Sequence, residues 1–364
     1  MKVCIVTGGS GGHIYPALTY ADYISKNRGD EVVFIGNDYK MESKIIPEAG
    51  YAFYGIHNMG LQGSVIAKFK AVFSQFKAYR VARSHLKEIK PDVVVAFGGY
   101  VSAPVSLAAS KLNIPLVLHE QNAFPGKANK MVADRASVII TCYKEAFSDM
   151  KTVQYLGNPR ASLIHETIDS DPEWKRLGLK DDLKTVLMVM GSQGSSSMNE
   201  KFLKYIENFE FTDYQVVIVV GPTNYEGFVK RMGTPDEHVH VVDFVDQKAL
   251  LPRIDLIVCR SGASTIAEIE SFGLTSLLIP SPHVANNHQF YNAKSLYDVK
   301  ACEMIEEANI ASTTLNEVVT SLLADEEKRK QIGFNVKKLA MPNAVSDIAD
   351  CIEKVVDSYG SSKD

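Results

Sequence analysis

Four glycines, a serine and a histidine stand together at Gly8-Gly9-Ser10-Gly11-Gly12-His13. They follow the apolar run Val3–Thr7 and precede a helical pattern starting near Tyr15-Pro16. Glycine lets backbone N–H groups approach an anion, and a helix opening there adds its dipole. A tight turn needs fewer glycines, so the loop reads as an anion site. It is not a P-loop, which would end Gly-Lys-Ser/Thr where this one ends Gly-His-Ile. A dinucleotide fingerprint wants an acid closing the second strand. Here that strand ends Phe34-Ile35-Gly36-Asn37, which disfavours a dehydrogenase. Histidine titrates near neutrality, so His13 is a candidate base or substrate contact; a helix-start cap is its other reading.

Four further clusters carry polar chemistry at strand ends. His119-Glu120-Gln121-Asn122, closed by Pro125-Gly126, could hydrogen-bond a polyhydroxylated ligand, or form a polar turn. Gly191-Ser192-Gln193-Gly194-Ser195 is a second glycine loop between strand and helix, offering N–H groups and a hydroxyl to a diphosphate. Arg260-Ser261-Gly262-Ala263-Ser264-Thr265 opens another helix, with Glu268 in or just past its first turn. There a carboxylate either favours the helix dipole or accepts bonds from ribose hydroxyls. Asn286-Asn287-His288-Gln289 brings amides that can read sugar hydroxyls.

The elements that must position these loops alternate strand and helix. Val3–Thr7, Glu31–Ile35, Asp92–Phe97, Leu116–His119 and Val138–Thr141 are Val/Ile/Leu-rich with polar residues only at their ends, as strands covered on both faces are. The series restarts with Thr185–Met190, Gln215–Val220, His240–Asp243, Asp255–Cys259 and Ser276–Ile279. Each series opens with a strand running into a Gly/Ser loop. The 364 residues therefore read as an α/β protein of two parallel-sheet domains, residues 1–160 and 161–342. A last helical segment, 343–364, is expected to pack back on the first domain. Ligands of open parallel sheets bind at the carboxyl ends of the strands, so the loops should converge on a cleft.

Composition excludes several classes. The five cysteines have no paired spacing for a disulfide framework or a zinc site. There is no secretory h-region and no apolar segment of membrane-spanning length. Charge is uneven: residues 1–160 hold 19 Lys and Arg against 12 Asp and Glu, net +7. The remainder holds 20 against 31, net −11. The first half should meet something anionic. Within it, Ile66–Leu86 has helical apolar spacing at Phe69, Val72, Phe73, Phe76 and Tyr79. Lys68, Lys70, Lys77, Arg80, Arg83 and Lys87 lie among them, and no acid occurs between Glu48 and Glu88. Such a helix either lies on an anionic membrane or packs its apolar face on its own sheet with the lysines merely solvated.

Seven stretches resemble, in order across nearly the whole chain, the MurG family of bacterial transferases. They are Gly8–Leu18 (GGSGGHIYPAL), Gly98–Pro104 (GGYVSAP), His119–Asn122 (HEQN), Gly157–Arg160 (GNPR), Gly191–Gly194 (GSQG), Arg260–Glu268 (RSGASTIAE) and Asn287–Gln289 (NHQ). The resemblance implies a GT-B fold, two Rossmann-like domains with a cleft between them. It implies transfer of N-acetylglucosamine (GlcNAc) from UDP-GlcNAc to the C4 hydroxyl of MurNAc in undecaprenyl-diphosphate-linked lipid I, giving lipid II for peptidoglycan. By carry-over, Ser10, Gly11, Gly12, Asn122 and Arg160 meet donor sugar or phosphates, and Ser192 meets the diphosphate. Val245 meets uracil through its backbone, Ala263, Ser264 and Thr265 line the diphosphate, Glu268 holds ribose, and Gln289 reads GlcNAc. His13 becomes the candidate base. Helix N-termini stabilise the leaving diphosphate, so no metal or other cofactor is expected. Lys68, Phe69, Lys70, Phe73, Phe76, Lys77 and Arg80 become a membrane-facing set, since a polyprenyl acceptor stays in its membrane. The implied place is peripheral, on the cytoplasmic side of the bacterial membrane. Partners are the two substrates, an anionic lipid surface and cell-wall synthesis proteins, without nucleic acid. Ser10 stands where the family usually has Thr, His288 where some members have a second Gln, and Gly-Asn-Pro-Arg where some read Gly-Asn-Pro-Val-Arg. Another GT-B transferase with a different lipid or small-molecule acceptor, or a catalytically dead nucleotide-sugar binder, are the competing readings.

Overall fold

The structure, a computed structural model, describes all residues except 59–64, 192–193, 209–212, 312–313 and 362–364, and for 65–73 the backbone alone. The chain divides into two units: Met1–Ser162 with Met341–Asp364, and Leu163–Ala340.

The N-terminal unit is built on seven strands: β1 (Lys2–Val6), β2 (Glu31–Asn37), β3 (Ala52–Ile56), β4 (Val93–Ala96), β5 (Leu116–Glu120), β6 (Val138–Thr141) and β7 (Val153–Tyr155). All pair in parallel in the order β3-β2-β1-β4-β5-β6-β7. The central strands are Val/Ile runs buried on both faces because helices cover each face. Helix Gly11–Arg28 packs Ala17, Tyr20 and Ile24 against Val3, Ile5 and Phe34. Ile348 and Ile352 of helix Ala344–Ser361 complete the same core. Arg28 reinforces that packing through ion pairs to Asp350 and Glu353.

The second unit repeats the scheme with β8 (Lys184–Val189), β9 (Tyr214–Val219), β10 (Val239–Val242), β11 (Leu256–Cys259), β12 (Ser276–Leu278) and β13 (Glu303–Met304), ordered β10-β9-β8-β11-β12-β13. Sequence reading missed β3, β7 and β13. The first two are only partly buried and carry no long apolar run, and β13 is two residues long.

In each sheet the strand order reverses beside the first strand, between β1 and β4 and between β8 and β11. In open parallel sheets such a reversal, at the carboxyl ends of the strands, is where ligands bind. Each glycine-rich loop lies at that point of its own sheet.

Candidate active site

In the N-terminal unit, Ser10 is extended (φ −154°) and caps helix Gly11–Arg28. The first-turn N–H groups of Gly11 and Gly12 need partners from outside the helix. His13 turns back: its Nδ1 lies 3.0 Å from the Gly8 carbonyl oxygen and 3.2 Å from Ser10 Oγ. A carbonyl can only accept, so Nδ1 carries the proton and Nε2 of the neutral ring keeps its lone pair. The ring rests on the loop after β4. A Cβ on Gly98 (φ +111°) would come 2.9 Å from His13 Nε2, and one on Gly99 (φ +88°) only 2.4 Å from the Gly8 oxygen. Those two glycines let the loops after β1 and β4 touch.

Gly9 N–H is already taken. Glu42 Oε2 accepts from it at 3.1 Å, and Glu42 Oε1 accepts from Asn37 N–H at 3.1 Å. Glu42 is fully buried. The loop that reads as an anion site therefore already holds an internal carboxylate at one end, leaving Gly11 and Gly12 for any ligand.

The His119–Asn122 cluster departs from its reading as a ligand-facing polar row. His119, Glu120 and Gln121 are buried, and they bond inward. His119 Nε2 donates to the Gly157 carbonyl (3.1 Å), and Gln121 Nε2 donates to the Phe97 carbonyl (2.8 Å) and reaches His119 Nδ1 (3.0 Å). Glu120 accepts from the backbone N–H groups of Asn122 and Gly126 and from Asn129 Nδ2. The polar run survives burial because most of its groups find internal partners, Gln121 Oε1 being the exception among the described residues. Burial pushes His119 down to about 4, so the ring is neutral and stacks on Phe97. Asn122 alone of the four is partly exposed.

In the second unit the glycine loop runs from Gly191 (φ +94°) to Gly194 (φ +72°). A Cβ on Gly194 would stand 2.1 Å from the Val220 carbonyl oxygen, so only glycine fits. Ser192 lies outside the described residues. Arg260 is the hub. From the end of β11 it donates to the carbonyls of Ile279 (3.1 Å) and Pro280 (3.3 Å), to Ser195 Oγ (3.1 Å) and to Glu307 (2.6 Å). It thus ties together the loops after β8, β11, β12 and β13. For Glu307, burial acts upward, but the Ser197 hydrogen bond and the Arg260 guanidinium outweigh it and hold the carboxyl below its ordinary range. A pocket of about 660 Å³ opens beside this pair, lined by Ser197, Lys201, Lys204, Asn287, Phe290 and Glu307.

Glu268 lies in the second turn of helix Ala263–Phe272, buried, and past the reach of the helix dipole. Its Oε2 accepts from Gln247 Nε2 at 3.1 Å. Gln247 follows Val245 by two residues, so the Asp243–Asp246 turn and Glu268 are adjacent. Glu173 and Arg176 pin that turn, Glu173 by accepting from Asp246 N–H and Arg176 by donating to the Phe244 carbonyl. Val245 has its side chain in the core, which leaves only its backbone to face a ligand. Ala263 and Thr265 head the helix, and Ser264 Oγ is buried without a hydrogen-bond partner among the described residues. Gln289 is held on both sides: its carbonyl accepts from Ser261 Oγ (2.7 Å) and its Oε1 from Ser281 N–H (2.9 Å). That bond orients the side chain and keeps its Nε2–H groups for a ligand.

Arg160 sits in the N-terminal unit, on the 3₁₀ turn Pro159–His165, its N–H bonded to Asn158 Oδ1. The chain contains one Asp-x-Asp triplet, Asp169-Ser170-Asp171. It forms a helix-start turn, with Asp169 accepting from Asp171 N–H and Asp171 paired to Arg253. Glu42, Arg260, Gln247 and the inward role of Gln121 escaped sequence reading. Arg260 stood within a recognised motif, and Gln247 two residues after one. Glu42 carried no signal.

On helix Val65–Ile89, Ala78, Ala82, Leu86 and Ile89 pack on the sheet. Phe76 is 60% exposed, with Lys77 and Arg80 exposed beside it. The side chains of Lys68, Phe69, Lys70 and Phe73 lie outside the described residues. No helix among the described residues is long and apolar enough to cross a membrane.

Residues 3–141 match the glycosyltransferase family 28 N-terminal domain and residues 185–348 its C-terminal domain. Two relatives are named UDP-N-acetylglucosamine–N-acetylmuramyl-(pentapeptide) pyrophosphoryl-undecaprenol N-acetylglucosamine transferase. That of Limosilactobacillus reuteri is 35% identical over 368 residues, 99% of this chain and 100% of the relative. That of Leuconostoc citreum is 38% identical over 354 residues, 94% and 95%. The chain belongs to the MurG family. Acinetobacter baumannii MurG has the same architecture, with a TM-score of 0.78 and 26% identity over 97% of this chain and 99% of that one. The GT-B expectation therefore holds, and four of the seven MurG motifs, those after β1, β4, β8 and β11, fall on the two switch points.

Proposed function

We infer that this chain is the hexosyltransferase that moves GlcNAc from UDP-GlcNAc to the MurNAc of lipid I, forming lipid II. Full-length identity to enzymes bearing that name carries this reading. Under it, the second unit holds the donor. The Asp243–Asp246 turn offers backbone to uracil, Glu268 accepts from ribose, and the helix N-terminus at Ala263–Thr265, with the unsatisfied Ser264 hydroxyl, meets the diphosphate. Gln289 donates to GlcNAc hydroxyls. Ser10, Gly11, Gly12, Asn122 and Arg160 supply contacts from the N-terminal unit.

The C4 hydroxyl oxygen attacks the anomeric carbon as the bond to the diphosphate oxygen breaks. UDP leaves with the electron pair, the hydroxyl proton passes to His13 Nε2, and configuration inverts. Leaving-group charge is met by loop N–H groups, so the step as proposed uses no resident cofactor. UDP should appear from UDP-GlcNAc only when lipid I is added, and His13→Ala should lower kcat by about 10²- to 10⁴-fold. Equal release with an unrelated lipid or sugar acceptor would refute the acceptor assignment, and unchanged turnover would remove His13 as base.

The acceptor's polyprenyl chain places the enzyme at a membrane surface, and Phe76, Lys77 and Arg80 are exposed as such docking requires. The enzyme docks peripherally, on the cytoplasmic side. The double variant Lys77→Glu with Arg80→Glu should weaken binding to anionic vesicles by roughly 30-fold or more, at about 1 kcal/mol per basic residue near the surface. Retained affinity would overturn the docking face.

A further inference from the structure

Glu42 is a fully buried acid outside every motif of the family resemblance, and the fold makes room for it deliberately. A Cβ on Gly8 would lie 2.2 Å from Glu42 Oε1, and one on Gly36 2.9 Å from Glu42 Cγ. Two glycines from different strand ends thus carve the space its side chain fills. Both of its oxygens accept backbone N–H groups, the pattern of the ionised side chain.

The Gly9 N–H that Glu42 engages and the Gly8 C=O that His13 engages belong to one peptide group. The chain of contacts runs Glu42 Oε2 to Gly9 N–H (3.1 Å), across the peptide, and Gly8 O to His13 Nδ1–H (3.0 Å). A peptide is polarisable along this axis, and hydrogen bonds in series strengthen one another where the dielectric is low. An acid on the N–H end makes the carbonyl end a better acceptor. The better acceptor holds His13 in its Nδ1–H form and makes Nε2 more basic. The other titratable ring facing His13 is the neutral His119, and the first turn of helix Gly11–Arg28 carries no acid. Glu42 is thus a carboxylate that reaches the ring through a single peptide group.

We propose that Glu42 is a positioning residue for the transfer reaction, acting on His13 through the Gly8–Gly9 peptide as a carboxylate–peptide–histidine relay. This rests on the reading of His13 as base. Glu42→Gln keeps the volume but removes the charge and turns an amide N–H₂ toward one of two backbone donors.

The test measures kcat against pH for wild type, Glu42→Gln and Glu48→Gln, with His13 ring nitrogen NMR on the same proteins. Glu48→Gln removes an exposed acid from the same short helix. Glu42→Gln should lower kcat by about 10- to 100-fold, as loss of a partner behind an active histidine does. KM for UDP-GlcNAc should stay, the acid limb of the profile should move to lower pH, and His13 should shift toward a mixture of tautomers. Glu48→Gln should match wild type. A wild-type His13 protonated on Nε2 would overturn the relay without any variant, even if Glu42→Gln fails to fold. So would a Glu42→Gln enzyme with an unmoved pH limb and unmoved ring shifts. Full activity in His13→Ala would instead sink the base reading, while the NMR result would still decide the relay.

Discussion

The two glycine loops occupy the same position in two copies of one architecture, yet they are built with opposite charge. The N-terminal loop leaves β1 and receives a buried acid, Glu42, on its Gly9 N–H. The second loop leaves β8 and receives a buried base, with Arg260 donating to Ser195 Oγ at its end. Position at a switch point specifies where a ligand binds but not which. A cation behind the second loop suits a diphosphate. An acid behind the first suits a histidine that must take a proton. The repeated fold supplies a repeated switch point, and on the proposed reading the groups buried behind each loop, Glu42 in one and the Arg260–Glu307 pair in the other, set their chemistry apart.

The comparison breaks most visibly at Arg260. Arg260→Met leaves Glu307 buried without its cation, which costs about 3–5 kcal/mol. The second unit should melt roughly 10 °C lower, at about 2–4 °C per kcal/mol for a unit of this size. A shift under about 2 °C would mean that the pair does not hold the loops together.

Acid should separate the units. His119 titrates at about 4 when folded against an ordinary 6.5, so the unfolded chain binds the proton first. Its contribution is full above pH 6.5 and lost as pH falls toward 4, about 3 kcal/mol in all. Glu307 is held below its ordinary 4.5, so its contribution is full above that value and lost only at lower pH. Denaturant unfolding should therefore find the N-terminal unit weaker at pH 5 than at pH 7, and His119→Asn should flatten that difference. An undiminished difference in His119→Asn would contradict the assignment.

Much of this was legible from sequence because parallel strands buried on both faces announce themselves as Val/Ile runs. The loops at the switch points carry glycines that no other residue can replace, Gly99 and Gly194 among them. What stayed hidden is long-range pairing. Glu42 reaches a loop more than thirty residues away, and Arg260 meets Glu307 across the ends of β12 and β13. Neither bond leaves a local pattern. The polar row at His119–Gln121 misled for the same reason: polar side chains at a strand end look ligand-facing until their internal partners are seen.

The smallest effect tests how finely the second loop system is tuned for its sugar. Gln289 engages Oε1 with Ser281 N–H and keeps its Nε2–H donors for a ligand. Gln289→Glu keeps the acceptor and deletes the donors, so the local fold should stand while a sugar hydroxyl loses its bond. One neutral hydrogen bond is worth about 1 kcal/mol, or roughly fivefold in KM for UDP-GlcNAc. Inhibition by UDP, which has no sugar to read, should not move. If UDP weakened as much as UDP-GlcNAc, the substitution would be acting on the loop through Ser261 and Ser281. Gln289 would then be a brace like Arg260 rather than a reader of the transferred group.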